Sequence, residues 1–477
     1  MNGRSIRVGG ARRRASNAVA ALSLVASLLV AAFAVGARPA SVGAQDGGVY
    51  GEPIEPAGAV YGSTEPAGGV YGSPTEPVGD VGVPVEEAVP AAPVDPNDPF
   101  ANVILPGGMG EVDMQVYVEE TGHTIRNTML DYWRATGAAS VYGNPISEPF
   151  ASADGYYSQA FENAVFKFLP EYLYTEEPSV RLMGIGDDAL RDRVGELRRD
   201  GRRLGGGGDR RGTAWRPLNP NGETVAQALN DGGTFNEQTR HTVSGAFRQW
   251  YDAHEGFFYL GNPLSEPVVE RGATVQYFDG GLLLQDYDGN VRLAPLAAEM
   301  ADRLGIETKR VKQNDLPLFD ESLFWTAPNP YGAADPDAPG MKRVEVSIAE
   351  QTMRAYQGDE LVLETFVSTG LAPNFTEKGL FHIRYKLPKE DMRGFTSATG
   401  EVVGLGDGSG QQSGAAYAVK DVPHVMYINN DAEALHGAYW HNNFGQQMSH
   451  GCINQPLDVA AFMFGWAPLG TQVWVHD

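Results

Sequence analysis

The stretch Ser449-His450-Gly451-Cys452-Ile453-Asn454, with His436-Gly437 upstream of it, decides how the C-terminal part of this chain is read. Cys452 is the only cysteine among 477 residues, so it has no intrachain disulfide partner. A thiol reacts as its thiolate, which needs a nearby base or positive charge. A lone cysteine with histidine elsewhere in the chain is therefore a candidate nucleophile. Around this stretch the hydrophobic pattern has period two. Val344, Val346 and Ile348 alternate with Arg343, Glu345 and Ser347, and Phe381, Ile383 and Tyr385 alternate again. Gln357-Gly358-Asp359 marks a turn before a strand over 361–367, and Val473 to Val475 closes the pattern. One helix is expected over 456–467, with Pro456 in its first turn and Leu457, Ala461 and Phe464 on one face. The pattern predicts a mostly β domain over 341–477.

The two motifs together resemble the signature of L,D-transpeptidases with a YkuD-type catalytic domain. Val367-Ser368-Thr369-Gly370 and Thr376-Glu377-Lys378-Gly379 agree with it as well. Many relatives carry proline where Glu377 stands, a position read here as loop rather than chemistry. The resemblance implies a β-sandwich with the active site at one end. It also implies Cys452 as nucleophile, and Ser449, His450 and Asn454 shaping the substrate pocket. His436 would hold Cys452 as thiolate and pass the proton to a leaving amine, oriented by the Gly437 carbonyl. Gly451 lets the chain approach substrate closely, and N–H groups around Gly451 and Cys452 are candidates for the oxyanion. Tyr427 and Tyr439-Trp440 either line the groove or pack. Neither Asp431 nor Glu433 is assigned a role. Gathering His436, His441, His450 and Cys452 into a zinc site would require unusual ligand spacing, so no metal and no cofactor are expected.

The first 44 residues combine a basic start (Arg4, Arg7, Arg12 to Arg14) with an apolar run from Ala18 to Ala37. They read as an export signal, cleaved after Ala44 or retained as an anchor. An unpaired cysteine in an exported chain points to a reactive thiol or an intermolecular bridge. Net charge is −24, and the leader holds six arginines and no acid, so the remainder carries −30. Nucleic acid is excluded as a partner on that charge. Residues 45–105, rich in Gly and Pro with near-copies of Val-Tyr-Gly, read as a disordered spacer.

An accessory α+β region is expected over 106–305, built on two related repeats at about 120–175 and 238–293. His123-Thr124, Gly143-Asn144-Pro145, Ser147-Glu148-Pro149 and Gln159 recur as His241-Thr242, Gly261-Asn262-Pro263, Ser265-Glu266-Pro267 and Gln276. Each copy reads as a short helix ending in aromatics, a Gly-Asn-Pro turn and a β-hairpin. The aromatics, Trp133 and Trp250 among them, serve either as core or as a surface that docks wall polymer. The arginine- and glycine-rich segment 191–212 reads as an exposed insertion, and 306–340 as a partly packed connector. These readings converge on an exported, wall-associated L,D-transpeptidase acting on peptidoglycan stem peptides. Two alternatives stand beside it: an L,D-carboxypeptidase using the same acyl-enzyme, and a surface-binding protein in which the repeats carry the main role.

Overall fold

A computed structural model describes residues 114–477, apart from 174, 204–213, 271, 333 and 407–413; side chains of 197–203 are also outside the description. The expected leader 1–44 and spacer 45–105 lie outside the described residues. No helix among the described residues is long and apolar enough to cross a membrane.

The repeats fold alike. In the first copy a hairpin, Gln115–Val118 with His123–Arg126, leads into helices Asn127–Ala135 and Ala138–Tyr142. A four-stranded antiparallel sheet follows, from Phe150–Ala151 through Tyr157–Ala160 and Val165–Phe168 to Val180–Leu182. The second copy repeats this order with Thr234–Asn236, His241–Val243, Gly245–Ala253, Gly256–Tyr259 and a sheet running from Val268–Glu270 to Val291–Leu293. A lone hairpin is marginal in water, which is why each expected hairpin is extended to a four-stranded sheet.

Polar residues of the repeat signature tie each copy together. Glu148 accepts from Thr124 N–H (3.0 Å) and Thr124 Oγ1 (2.5 Å) and lies 3.3 Å from His123 Nδ1. Glu266 does the same for Thr242 (2.9 and 2.5 Å) and His241 (3.1 Å). The buried amides Gln159 and Gln276 each donate to two carbonyls, those of Thr124 and Ser147 or of Thr242 and Ser265. Trp133, almost fully buried, donates to Gly143 O at 3.0 Å, and Tyr251 at the matching position donates to Gly261 O at the same distance. These partners satisfy groups that would be costly to bury alone.

The copies exchange helices. Leu190, on the helix Ile185–Arg203 that follows the first sheet, packs with Val275 and Tyr277 of the second. Leu296, Ala297 and Met300, on the helix Leu296–Leu304 after the second sheet, pack with Ala160 and Val165 of the first. Gly186 N–H donates to Asp279 O and Ala298 N–H to Glu162 O, both at 3.0 Å. Residues 191–203 of the expected insertion are thus the C-terminal part of this helix, with Val194 packed on the partner sheet and Arg191, Asp192 and Glu196 exposed; 204–212 lie outside the described residues.

The C-terminal region is a mostly β sandwich. One sheet has the order Glu360–Phe366, Thr352–Gln357, Lys342–Ser347, Gln472–His476, Gly379–His382. The other has Val402–Leu405, Tyr385–Thr396, Ala415–Tyr427, Ala434–Gly437, Ile453–Gln455. The helix Leu457–Trp466 buries Val459, Phe462, Met463 and Trp466. Leu457 is exposed, so the expected Leu457–Ala461–Phe464 face is not the buried one; with apolar residues nearly all round, the pattern left the choice of face to tertiary packing.

One hydrophobic core runs from Val116 and Trp133 of the first repeat into Val344, Val346 and Phe462 of the sandwich, with Phe319, Phe324 and Trp325 of the connector packed on it. Buried charges cross the same boundary. Arg134 donates to Glu321 at 2.9 and 2.6 Å and to Gly465 O at 3.2 Å. Lys342 bonds the same Glu321 and donates to Trp466 O at 2.9 Å. The second repeat joins the sandwich through buried Glu255, whose oxygens lie 2.9 and 3.0 Å from His382 Nε2.

Candidate active site

The short strands Ala434–Gly437 and Ile453–Gln455 run parallel, with Leu435 opposite Ile453 and His436 opposite Asn454. Side chains alternate along a strand, so Ala434 and His436 share a face with Asn454 and, one step before the strand, Cys452. Cys452, His436 and Asn454 accordingly line one groove of about 760 Å³, with Tyr427, Ser449 and His450. The long strands Tyr385–Thr396 and Ala415–Tyr427 form its other wall, contributing Glu390, Arg393 and Tyr417.

The turn carrying Cys452 is held from below. Ser449 Oγ accepts from Gly451 N–H at 3.2 Å and donates to Cys452 O at 2.5 Å. Met448 and Ser449 N–H donate to Thr369 O, and Leu371 N–H donates to Ser449 O. Thr376 Oγ1 donates to Gly451 O at 2.6 Å and accepts from Gly370 N–H. The upstream Ser-Thr-Gly and Thr-Glu-Lys-Gly motifs are therefore the cradle of the turn. Gly451 has φ +123°, and a Cβ there would lie 2.9 Å from Glu433 Oε1, so only glycine fits.

His436 is buried, and its Nδ1 lies 3.2 Å from Gly437 O. That carbonyl accepts, so the proton sits on Nδ1 and Nε2 is the basic nitrogen. Burial pulls the imidazole down to about 4. Burial, and after it the negative charges of Glu433 and Glu390, push the Cys452 thiol up to about 12, against a backbone hydrogen bond at Ala434. The thiol donates weakly to Ala432 O, at 3.9 Å. Burial therefore favours a neutral thiol and a neutral imidazole in the resting pair. It thus works against the thiolate expected from the sequence, because it disfavours the charged form of both groups.

Asn454 is fixed by His441. Asn443 N–H donates to His441 Nδ1 at 3.2 Å, which puts the ring proton on Nε2, 2.9 Å from the Asn454 amide. As placed, Asn454 Nδ2 faces that nitrogen and Oδ1 is the amide atom without a protein partner. A donating Nε2 requires the amide turned over, with Oδ1 towards His441, and that leaves the NH2 free in the groove. His450 is exposed and stacks on Tyr417 at 5.2 Å. Tyr427 donates to Glu390 at 2.5 Å, and Trp440 tilts over His436 at 5.7 Å, whereas Tyr439 bonds Lys420 O. Gly451 lies behind the groove, with its N–H already bonded to Ser449, so it is not a free oxyanion donor. Among the described residues no group of three His, Cys, Asp or Glu is arranged to hold a metal ion.

Sequence reasoning missed Glu433 and Glu377. Glu433 is buried; both of its oxygens accept Glu377 N–H at 3.1 Å, and Oε2 accepts Asn429 Nδ2 at 2.9 Å. Burial, helped by Glu377 and Asp431, raises this carboxyl to about 7. The available signal was the departure at 377: proline has no N–H to donate, and glutamate does.

Residues 341–475 match the YkuD family model, described as the L,D-transpeptidase catalytic domain. This part of the chain is a YkuD-type domain. Solved structures similar to the chain include an L,D-transpeptidase from Mycobacterium smegmatis, at 22% identity and TM-score 0.24, over 28% of this chain and 58% of that one. The E. faecium L,D-transpeptidase catalytic domain is similar at 26% identity and TM-score 0.23, over 28% of this chain and 96% of that one. L,D-transpeptidase 3 from Mycobacterium tuberculosis is similar at 18% identity and TM-score 0.24, over 28% and 61%. The chain thus spans less than two thirds of the length of either mycobacterial protein. No curated protein matches it in sequence.

Proposed function

We propose that the chain is an exported L,D-transpeptidase that cross-links peptidoglycan through a Cys452 acyl-enzyme. The observation that supports this best is the placing of Cys452, His436 and Asn454 on one face of a parallel strand pair inside a groove. His436 Nε2 takes the thiol proton as Sγ attacks the carbonyl before the terminal D-amino acid of a stem tetrapeptide. The Cys452 N–H and the Asn454 amide NH2 meet the oxyanion. Collapse breaks the C–N bond, and His436 returns the proton to the departing amine. An amine from a second stem then attacks the thioester, gives up a proton to His436 and releases the thiol. Starting from two neutral groups, the site separates charge only during attack, when the oxyanion donors are in place to receive it.

The test uses the full chain with a disaccharide-tetrapeptide and mass spectrometry. A dimer lacking one D-Ala, absent with Cys452→Ala, is the expected result. Loss of D-Ala without a dimer would make the enzyme a carboxypeptidase, and no reaction beside an active control would overturn both readings.

A further inference from the structure

Behind the nucleophile lies a pair of carboxyl groups that the acyl-transfer scheme does not use. Glu433 sits in the bend between Tyr427 and Ala434, 8% exposed, with its Oε1 against the space that only a glycine at 451 leaves free. Asn429 joins the two acids, donating from Nδ2 to Glu433 at 2.9 Å and to Glu377 at 3.2 Å, while Asn429 Oδ1 accepts Glu433 N–H at 3.0 Å. Glu377 in turn supplies the N–H that both Glu433 oxygens accept. Among the described residues no cation pairs with this charge: nearby Lys378 is taken by Asp477, and Arg384 bonds the Asn430 side chain. The titratable groups facing Glu433 are Glu377, Asp431 and Cys452 itself; Cys452 in turn shares its groove with Glu390, Tyr417 and Tyr427 of the opposite wall and with His436.

We infer that Glu433 is a positioning residue for Cys452: its carboxyl, held beneath Gly451 by the Glu377 N–H, governs how readily the thiol ionises. In its neutral form the carboxyl supports the Gly451–Cys452 turn without opposing a negative sulfur. Once ionised, it sets a negative charge behind the Gly451–Cys452 turn and disfavours thiolate. The two groups titrate against each other, so a rise in pH that favours thiolate also recruits the charge that resists it. Burial places the Glu433 ionisation near 7, within the working range of an exported enzyme.

This inference rests on Cys452 as the reacting thiol but not on the identity of its substrate. The test is the rate of alkylation of the full chain by iodoacetamide, read by intact mass over roughly pH 6 to 9, which brackets the Glu433 ionisation while the small thiolate fraction still sets the rate. In the native chain the slope of log rate against pH should fall below one as Glu433 ionises. Glu433→Gln should restore a slope of one and react about three- to tenfold faster at pH 8, the effect of removing one nearby charge from a partly screened site. A native slope of one throughout, or a Glu433→Gln chain that alkylates no faster, would overturn the inference. Should Glu433→Gln fail to fold, Glu377→Gln keeps the N–H and removes the flanking charge, so the inflection should move to lower pH; an unmoved inflection counts against it. A purely structural role would alter the rate without removing the inflection. Turnover of the tetrapeptide, measured alongside, separates the two claims: an inflection without turnover sinks the transpeptidase reading alone.

Discussion

Glu148 and Glu433 are both acids in a tight bend, and their surroundings differ in one respect. Glu148 accepts from Thr124 N–H and Oγ1 with His123 alongside, and Glu266 repeats that arrangement in the second copy. These donors favour the ionised form, and the Glu148 carboxyl sits below its usual range despite burial. Glu433 has a backbone N–H and an amide as donors, but a second acid and a thiol for neighbours, and it sits above its range. In the repeats, the signature donors are closed into local networks that hold the fold, and only the Gln159 and Gln276 amide oxygens among these signature groups stay without a partner. At the groove, the thiol and the free end of the Asn454 amide have weak partners or none, and chemistry needs such groups available. A recurring polar motif thus marks a scaffold when its members find each other, and a site when they face a common space.

The sharpest way to break that contrast is at the nucleophile. Cys452→Ala should abolish thioester formation, at least about a thousandfold, with the fold unchanged by circular dichroism; an adduct elsewhere on the chain would remove the groove from consideration. Glu321→Ala should have the largest effect on stability. It leaves Arg134 and Lys342 buried without their shared partner, and calorimetry should register about 3–5 kcal/mol. Gln276→Ala strips the donor from two buried carbonyls, and chemical denaturation should show about 1–3 kcal/mol lost per unsatisfied group with tetrapeptide turnover kept. If turnover fell more than stability, the repeats would be part of the site and the contrast would fail. Tyr251→Phe removes a single bond to Gly261 O and should shift stability by about 1 kcal/mol.

Acidity sharpens the contrast further. His436 titrates near 4 in the fold and near its ordinary 6.5 when unfolded, so the unfolded chain binds more protons between those values. Its contribution to stability is complete above 6.5 and lost as pH falls towards 4. Denaturation of His436→Gln should lack that component of acid destabilisation; an unchanged pH dependence would show that the imidazole is more solvated than its burial indicates.

Much of the site could be read from the chain alone. Residue types at 436, 449–452 and 454 define a thiol, a base and a tight turn, and period-two alternation defines the sandwich strands, since both are local properties. The repeats were legible because both copies retain the same residues at one offset. Other features depended on tertiary structure. The helix exchange between the repeats was hidden because the arginine-rich run that begins at 191 masks the short apolar face, Ala189, Leu190 and Val194, that packs on the partner sheet. The buried face of Leu457–Trp466 was undetermined because a helix apolar on nearly all sides takes its orientation from its neighbours. The protonation of Cys452 and His436, and the part played by Glu433, depend on burial and on charges brought from distant segments. A sequence lists the ionisable groups; only the folded dielectric surroundings decide which of them carry charge.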